Sequence, residues 1–166
     1  MRVCGLDECG RGPLAGPLVG AATILNPQFP IFNLNDSKKL SAKQRHKIYQ
    51  QIIKSGAVIA IEEISVRQIN NRGIGWANKE VFKRLIKKVE ATKYIVDGNL
   101  KLRVRGKSNL IRSIIKADNK FPEVMAASIV AKVTRDKLMR QLAKDYPQFG
   151  WHSNVGYGTR YHISAI

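Results

Sequence analysis

The chain of 166 residues is 44% hydrophobic and carries 29 lysines and arginines against 12 acids, a formal net charge of +17. That length supports one globular domain with a substantial core. No apolar run approaches a membrane span and no signal peptide opens the chain, so the cytoplasm is the expected compartment. A balance this basic points to polyanions, nucleic acid first and an anionic membrane surface second. Carboxylates aimed at such a partner would repel it unless cations sat between them. Acids that converge inside this basic surface would therefore mark a metal-dependent phosphodiesterase.

The first elements frame the most informative stretch, VCGLDECGRGPLAGPLVG at residues 3–20. An apolar run delivers Asp7 and Glu8 into a turn-rich segment holding Gly10, Arg11, Gly12, Pro13 and Gly16. A second apolar run, 18–25, follows, so the pattern reads as strand, irregular loop, strand. Glycines beside the acids let a ligand approach the backbone, and an arginine between two glycines suits a phosphate. Taken alone, the stretch reads first as a hairpin with a polar end; the net charge tips the balance to the functional reading. Cys4 and Cys9 lie too close on one strand for a disulfide and are expected to be free thiols.

Residues 26–40 read as a loop ending in Asp36-Ser37-Lys38-Lys39-Leu40, where Asp36 suits a turn and the lysines face solvent or a phosphate. Ser41 and Gln44 form a capping-box pattern, so a helix is predicted from Ala42 with Ile48, Ile52 and Ile53 as its apolar face and Gly56 as its terminator. AVIAI at 57–61 predicts a third strand with Glu62 and Glu63 at its end, a rival acidic pair. A helix from Ser65, disturbed at Gly73 and Gly75, resumes with Ala77, Val81, Leu85 and Val89 as its stripe.

YIVDGN at 94–99 repeats the logic of Asp7, with Asp97 at a strand's carboxyl end, where open α/β sheets place ligands. LIRSII is read as another strand, and Asp118 follows it. The longest helix is predicted from Pro122 to just before Pro147, with Ala126, Ala127 and Ser128 as a close-packing face. Asp118 stands ahead of that helix, where its dipole favours a carboxylate. Asp136, with Lys132 and Arg140 four residues away on either side, reads as a structural ion pair. His152 and His162 read as hydrogen-bonded structural histidines. Strands alternating with helices after an initial hairpin give an α/β class with a mixed sheet of about five strands. Asp7, Asp97 and Asp118 then converge if the strand ends near 7 and 97 are neighbours. Asp7 and Glu8 would need a bulge or turn to reach one metal, because successive strand residues face opposite ways.

GLDECGRGPLAGP resembles the amino-terminal signature of type 2 ribonuclease H, ribonuclease HII. The resemblance continues in order through DSKKL, IVDG, the aspartate of KAD, MAASIVAKVTRD and GYGT. It implies an RNase H-like fold in a single catalytic domain over 1–166, without the carboxyl-terminal segments that usually follow. It implies hydrolysis of RNA paired with DNA, including a lone ribonucleotide in duplex DNA, leaving 5′-phosphate and 3′-hydroxyl ends, as in ribonucleotide excision repair and DNA replication. The implied catalytic and metal-binding acids are Asp7, Glu8, Asp97 and Asp118, serving Mg²⁺ or Mn²⁺ in a two-metal mechanism. The resemblance demotes Glu62, Glu63 and Asp136. Gly10, Arg11 and Gly12 would read the ribose hydroxyls at the junction, and Tyr157 would pack on the following deoxyribose, with Lys38 and Lys39 as further substrate contacts. Cys9 stands where alanine is usual. A monomer is expected. Two alternatives share the composition: a DNA-junction nuclease of the same fold, and a basic binding module without turnover.

Overall fold

The structure is a computed structural model that describes residues 2–30, 34 and 40–166. Lys38, Lys39 and Asp36 lie outside the described residues. Five strands form one mixed sheet: β1 (Val3–Cys9), β2 (Leu18–Ile24), β3 (Val58–Ile64), β4 (Lys93–Asp97) and β5 (Ile111–Ile114), in the order β3-β2-β1-β4-β5. β1, β2 and β3 pair antiparallel as a meander, while β4 and β5 add parallel to the other side of β1. The predicted five-stranded α/β class is therefore observed.

Helices cover both faces. On one side α3 (Ile74–Lys88) buries Ala77, Val81, Phe82, Leu85 and Ile86 against Leu6, Leu18, Ala22 and Val96. On the other, α1 (Ala42–Lys54) and α4 (Pro122–Asp145) bring Ile48, Ile52, Ala126, Ala127 and Val130 against Ala21. β2, sandwiched between the two layers, is buried at every position, as a strand covered on both faces must be. Each large aliphatic side chain so buried contributes about 1.5–3 kcal/mol.

Local chemistry sets the element ends. Ser41 and Gln44 form the predicted capping box, their mutual bonds measuring 2.9 and 3.3 Å. Ser65 and Gln68 form a second box that opens α2 (Val66–Arg72). Gly73, at φ +80°, separates α2 from α3, a conformation that glycine adopts without strain. α4 begins at Pro122 and ends before Pro147, as predicted. Its first turn lies directly on β1, because a Cβ at Gly5 would stand 2.2 Å from the Glu123 carbonyl carbon.

Two details differ from expectation. Ile53 is 45% exposed and lies off the buried stripe of α1. β3 runs on through Glu62 and Glu63 to Ile64, so these acids lie within the last three residues of the strand, as Asp7 and Glu8 do in β1, and alternate in direction rather than following the strand. Glu62 is taken by Lys88 and Arg84 of α3. The edge strand extends because its partner β2 stays straight to Leu18, opposite Ile64.

Candidate active site

The carboxyl end of β1 organises the site. Leu6 is in register with Val96, so Asp7 and Asp97 follow at the same level on neighbouring parallel strands. This is the adjacency on which the convergence of the acids depended. Asp7 is buried at 7% exposure and shares the α4-facing side of β1 with Gly5. Burial first, then the charges of Glu8 and Asp97, hold its proton affinity well above the ordinary carboxylate range. Burial likewise pushes Glu8 up to about 7, with Arg11 pulling down and Asp97 adding to the rise. Burial and neighbouring carboxylates thus act in the same direction on Asp7 and on Glu8, both disfavouring the charged form.

The expected bulge between the two acids is absent. β1 stays in regular register with β2 through Glu8↔Gly20 and Cys9↔Val19, and the chain turns only at Gly10, φ +119°. Asp7 and Glu8 therefore leave opposite faces of the strand, linked by the Glu8 amide, which donates to Asp7 Oδ1 at 2.8 Å. Among the described residues, no three acids, histidines or cysteines are gathered into a ready-made metal cage.

Asp97 is anchored from the far side. Its Oδ1 accepts the Ala117 amide at 2.7 Å, which ties the end of β4 to the 3-10 turn Ala117–Asn119. Asp118 sits in that turn, buried at 4% exposure. Lys116, just before it, holds a left-handed conformation at φ 56°, ψ 41°. A lysine stays there only where neighbours over-determine the backbone, and the bond to Asp97 is one such constraint. Asp97 thus grips the turn that carries the fourth acid, Asp118.

The glycine loop meets the carboxyl-terminal segment beside these acids. A Cβ at Gly12 would approach nothing closer than Tyr157 Cε1, at 3.9 Å, so the backbone is open at Gly12 and the tyrosine ring borders it, whereas Gly10 is packed against Pro17 and Arg135. Arg11 is exposed. Gly156 O accepts the amides of Leu14 and Ala15 at 2.9 and 3.3 Å. Arg135, fully buried, donates to the carbonyls of Pro17, Ala15 and Val155 at 2.8–2.9 Å. Lys132 Nζ lies 5.5 Å from the centre of the Tyr157 ring and pairs with Asp136 at 2.8 Å.

Asp136 is therefore the structural ion pair expected, with one change: its second cation is Arg45 of α1, at 4.0 Å, and not Arg140. Arg135 is the residue that sequence reasoning missed. Ala127, Ala131, Arg135 and Met139 share one stripe of α4 at four-residue spacing, all buried. A charged residue within an apolar stripe was the available signal. His162 is buried and hydrogen-bonded as expected, whereas His152 is exposed. Cys4 and Cys9 are free thiols, and burial drives Cys4 up to about 12. Among the described residues, no helix is long and apolar enough to cross a membrane.

Comparison with known proteins agrees with this geometry. The family described as ribonuclease HII matches residues 4–166. The ribonuclease HII of Wolbachia sp. subsp. Brugia malayi is 44% identical over 99% of this chain and 80% of its own length. That of Clostridium acetobutylicum is 42% identical over 99% of this chain and 66% of its own length. The ribonuclease HII of Archaeoglobus fulgidus, solved in complex with PCNA, superposes with a TM-score of 0.85 at 27% identity, covering 99% of this chain and 85% of that one. With its RNase H-like sheet and the acids at the ends of β1 and β4, the chain belongs to the ribonuclease HII family of endoribonucleases.

Proposed function

We propose that the protein hydrolyses the RNA strand of RNA–DNA hybrids and incises duplex DNA at single embedded ribonucleotides, with Asp7, Glu8, Asp97 and Asp118 holding divalent cations. The observation that carries this is the register of β1 and β4, which sets Asp7 level with Asp97 and Glu8 next to them, beside a backbone open at Gly12 in a chain of net charge +17. Asp7 and Glu8, whose proton affinity is raised by burial and by neighbouring carboxylates, bind a hard cation in place of protons. Mg²⁺ prefers a few carboxylates supplemented by water and phosphate oxygens, so the lack of a closed cage among the described residues suits it. Mg²⁺ or Mn²⁺, when bound, supplies an activated water and stabilisation of the leaving 3′-oxygen.

The chain's own residues do the rest. Asp97, fixed by the Ala117 amide, keeps the β4 end in place as substrate enters. Gly12, open to approach, and Gly10, which turns the chain while packed against Pro17 and Arg135, offer backbone groups to a ribose 2′-hydroxyl, the group that separates RNA from DNA. The Tyr157 ring borders that loop and provides a face for the following deoxyribose. Arg11 is placed for a phosphate. The expected products carry 5′-phosphate and 3′-hydroxyl ends, and the working form is a cytoplasmic monomer.

The test is an end-labelled panel of all-DNA duplex, long hybrid and duplex with one ribonucleotide, each with Mg²⁺, Mn²⁺ or EDTA. Metal-dependent incision on the 5′ side of the single ribonucleotide supports the proposal in full. Cleavage of the long hybrid alone removes the junction role of Gly10–Gly12 and Tyr157. Cleavage of all-DNA duplex at equal rate removes the ribose-reading role altogether.

A further inference from the structure

Behind Tyr157 lies a polar chain enclosed in aromatic rings. Trp151 Nε1 and His162 Nε2 are 3.0 Å apart, and His162 Nδ1 lies 2.9 Å from the Tyr157 carbonyl oxygen. An indole N–H only donates, so Nε2 must accept. The imidazole proton then sits on Nδ1 and is donated to the Tyr157 carbonyl. His162 is 1% exposed. It stands edge-on to Trp151 and Phe149 at 6.1 and 6.2 Å, and those two rings stack at 5.0 Å. Both ring nitrogens are occupied, one by an indole and one by a backbone carbonyl. The imidazole is built to hold a backbone, not to exchange protons with substrate.

The backbone it holds needs holding. Val155 has φ +43° and Gly156 φ +90°, and a non-glycine residue at positive φ persists only where its surroundings impose it. Arg135 secures the upstream side through Val155 O. On the downstream side the Tyr157 carbonyl takes the Thr159 amide at 2.8 Å as well as His162. The tyrosine ring itself is 42% exposed, so its position is set mainly by its backbone.

We propose that His162, locked by Trp151 as the Nδ1-protonated neutral tautomer, is a positioning residue that fixes the Tyr157 backbone and thereby sets discrimination for the RNA-to-DNA junction. The selectivity half of this rests on the role of Tyr157 proposed above; the positioning half does not.

The experiment compares His162→Phe, which keeps a ring and loses both bonds, with Trp151→Phe, which loses only the donor, and His162→Asn, whose amide still donates to the carbonyl. Each is measured for the ratio of kcat/KM on single-ribonucleotide duplex to that on long hybrid, alone and with Tyr157→Ala. The same proteins, labelled with 3-fluorotyrosine, report the ring by fluorine NMR, the line of residue 157 being identified by its loss in Tyr157→Phe. In His162→Phe the ratio falls about tenfold, the scale of a lost buried hydrogen bond. The fluorine line moves or broadens, His162→Asn recovers most of both effects, and Tyr157→Ala leaves nothing further to lose. An unchanged fluorine line in both His162→Phe and Trp151→Phe overturns the positioning role. Losses that simply add to those of Tyr157→Ala overturn the selectivity role. A normal ratio in Tyr157→Ala alone refutes the reading of Tyr157, while the fluorine line still decides whether His162 positions it. If His162→Phe does not fold, Trp151→Phe, which keeps the stacked ring, carries the same readouts.

Discussion

Glu8→Gln is expected to make the protein more stable and inactive at once. Glu8 rises from 4.5 to about 7 on folding, chiefly because it is buried. The native state therefore keeps this proton over a range in which the unfolded chain has released it. Between pH 4.5 and 7 unfolding releases the proton, and stability falls as pH rises. Below 4.5 both states are protonated and no penalty exists; above 7 it is fully present. At about 1.4 kcal/mol per pH unit, the penalty is on the order of 3 kcal/mol. Glutamine has no charge to desolvate. Its loss from position 8 also relieves Asp7, whose proton affinity Glu8 raises, a change of the same sign. In EDTA at pH 8.5 the variant is expected to melt about 6–12 °C higher than the parent, at roughly 2–4 °C per kcal/mol for a chain this size. At pH 4.5 the two should melt together. Differential scanning calorimetry at both pH values decides it, and equal melting temperatures at pH 8.5 would refute the claim that Glu8 is ionised at a cost.

Other substitutions probe the supports of the site. Arg135→Met leaves three buried carbonyls without their shared donor and is expected to cost on the order of 3 kcal/mol in urea unfolding; a loss within experimental error would mean the loops at 15–17 and 155 hold without it. Gly5→Ala places a methyl into the backbone of Glu123 and should cost about 1–3 kcal/mol by overpacking, read from the same unfolding curves; a neutral result would mean that α4 shifts freely on β1. Binding of an uncleaved duplex should weaken linearly on a log–log plot against salt, and a flat plot would remove the phosphate contacts expected of so basic a chain.

Much of the frame was legible because its signals are local. The Ser41–Gln44 box, the Pro122 start and Pro147 stop of α4, and the glycine breaks at 56 and 73 each act within a few residues. Asp7 and Asp97 were legible as strand-end acids, though their adjacency required the β1–β4 register. The end of β3 was misread because AVIAI exhausts the apolar run, while the strand continues on its hydrogen bonds to β2, with Glu62 neutralised by α3. The regularity of β1 through Cys9 could not be inferred either, since the glycines that suggested a bulge act one residue later. The partners of Arg135 and His162 were opaque for a different reason, although His162 itself was read as a hydrogen-bonded structural histidine. These partners are backbone carbonyls, at Pro17, Ala15 and Val155 for one and Tyr157 for the other, and a carbonyl leaves no trace in residue identity.

The most direct measurement titrates Mn²⁺ into the protein and into Asp7→Asn at pH 7 by calorimetry in buffers of different ionisation enthalpy, alongside cleavage and duplex binding. Since Glu8 titrates near 7 and Asp7 above the ordinary range, the parent should release protons as the cation binds. Asp7→Asn should lose most of that proton release, bind Mn²⁺ at least about tenfold more weakly and cleave about a thousandfold more slowly or worse, while still binding duplex. Undiminished Mn²⁺ affinity and turnover in Asp7→Asn would contradict the central claim that the acids at the ends of β1 and β4 hold the catalytic cations.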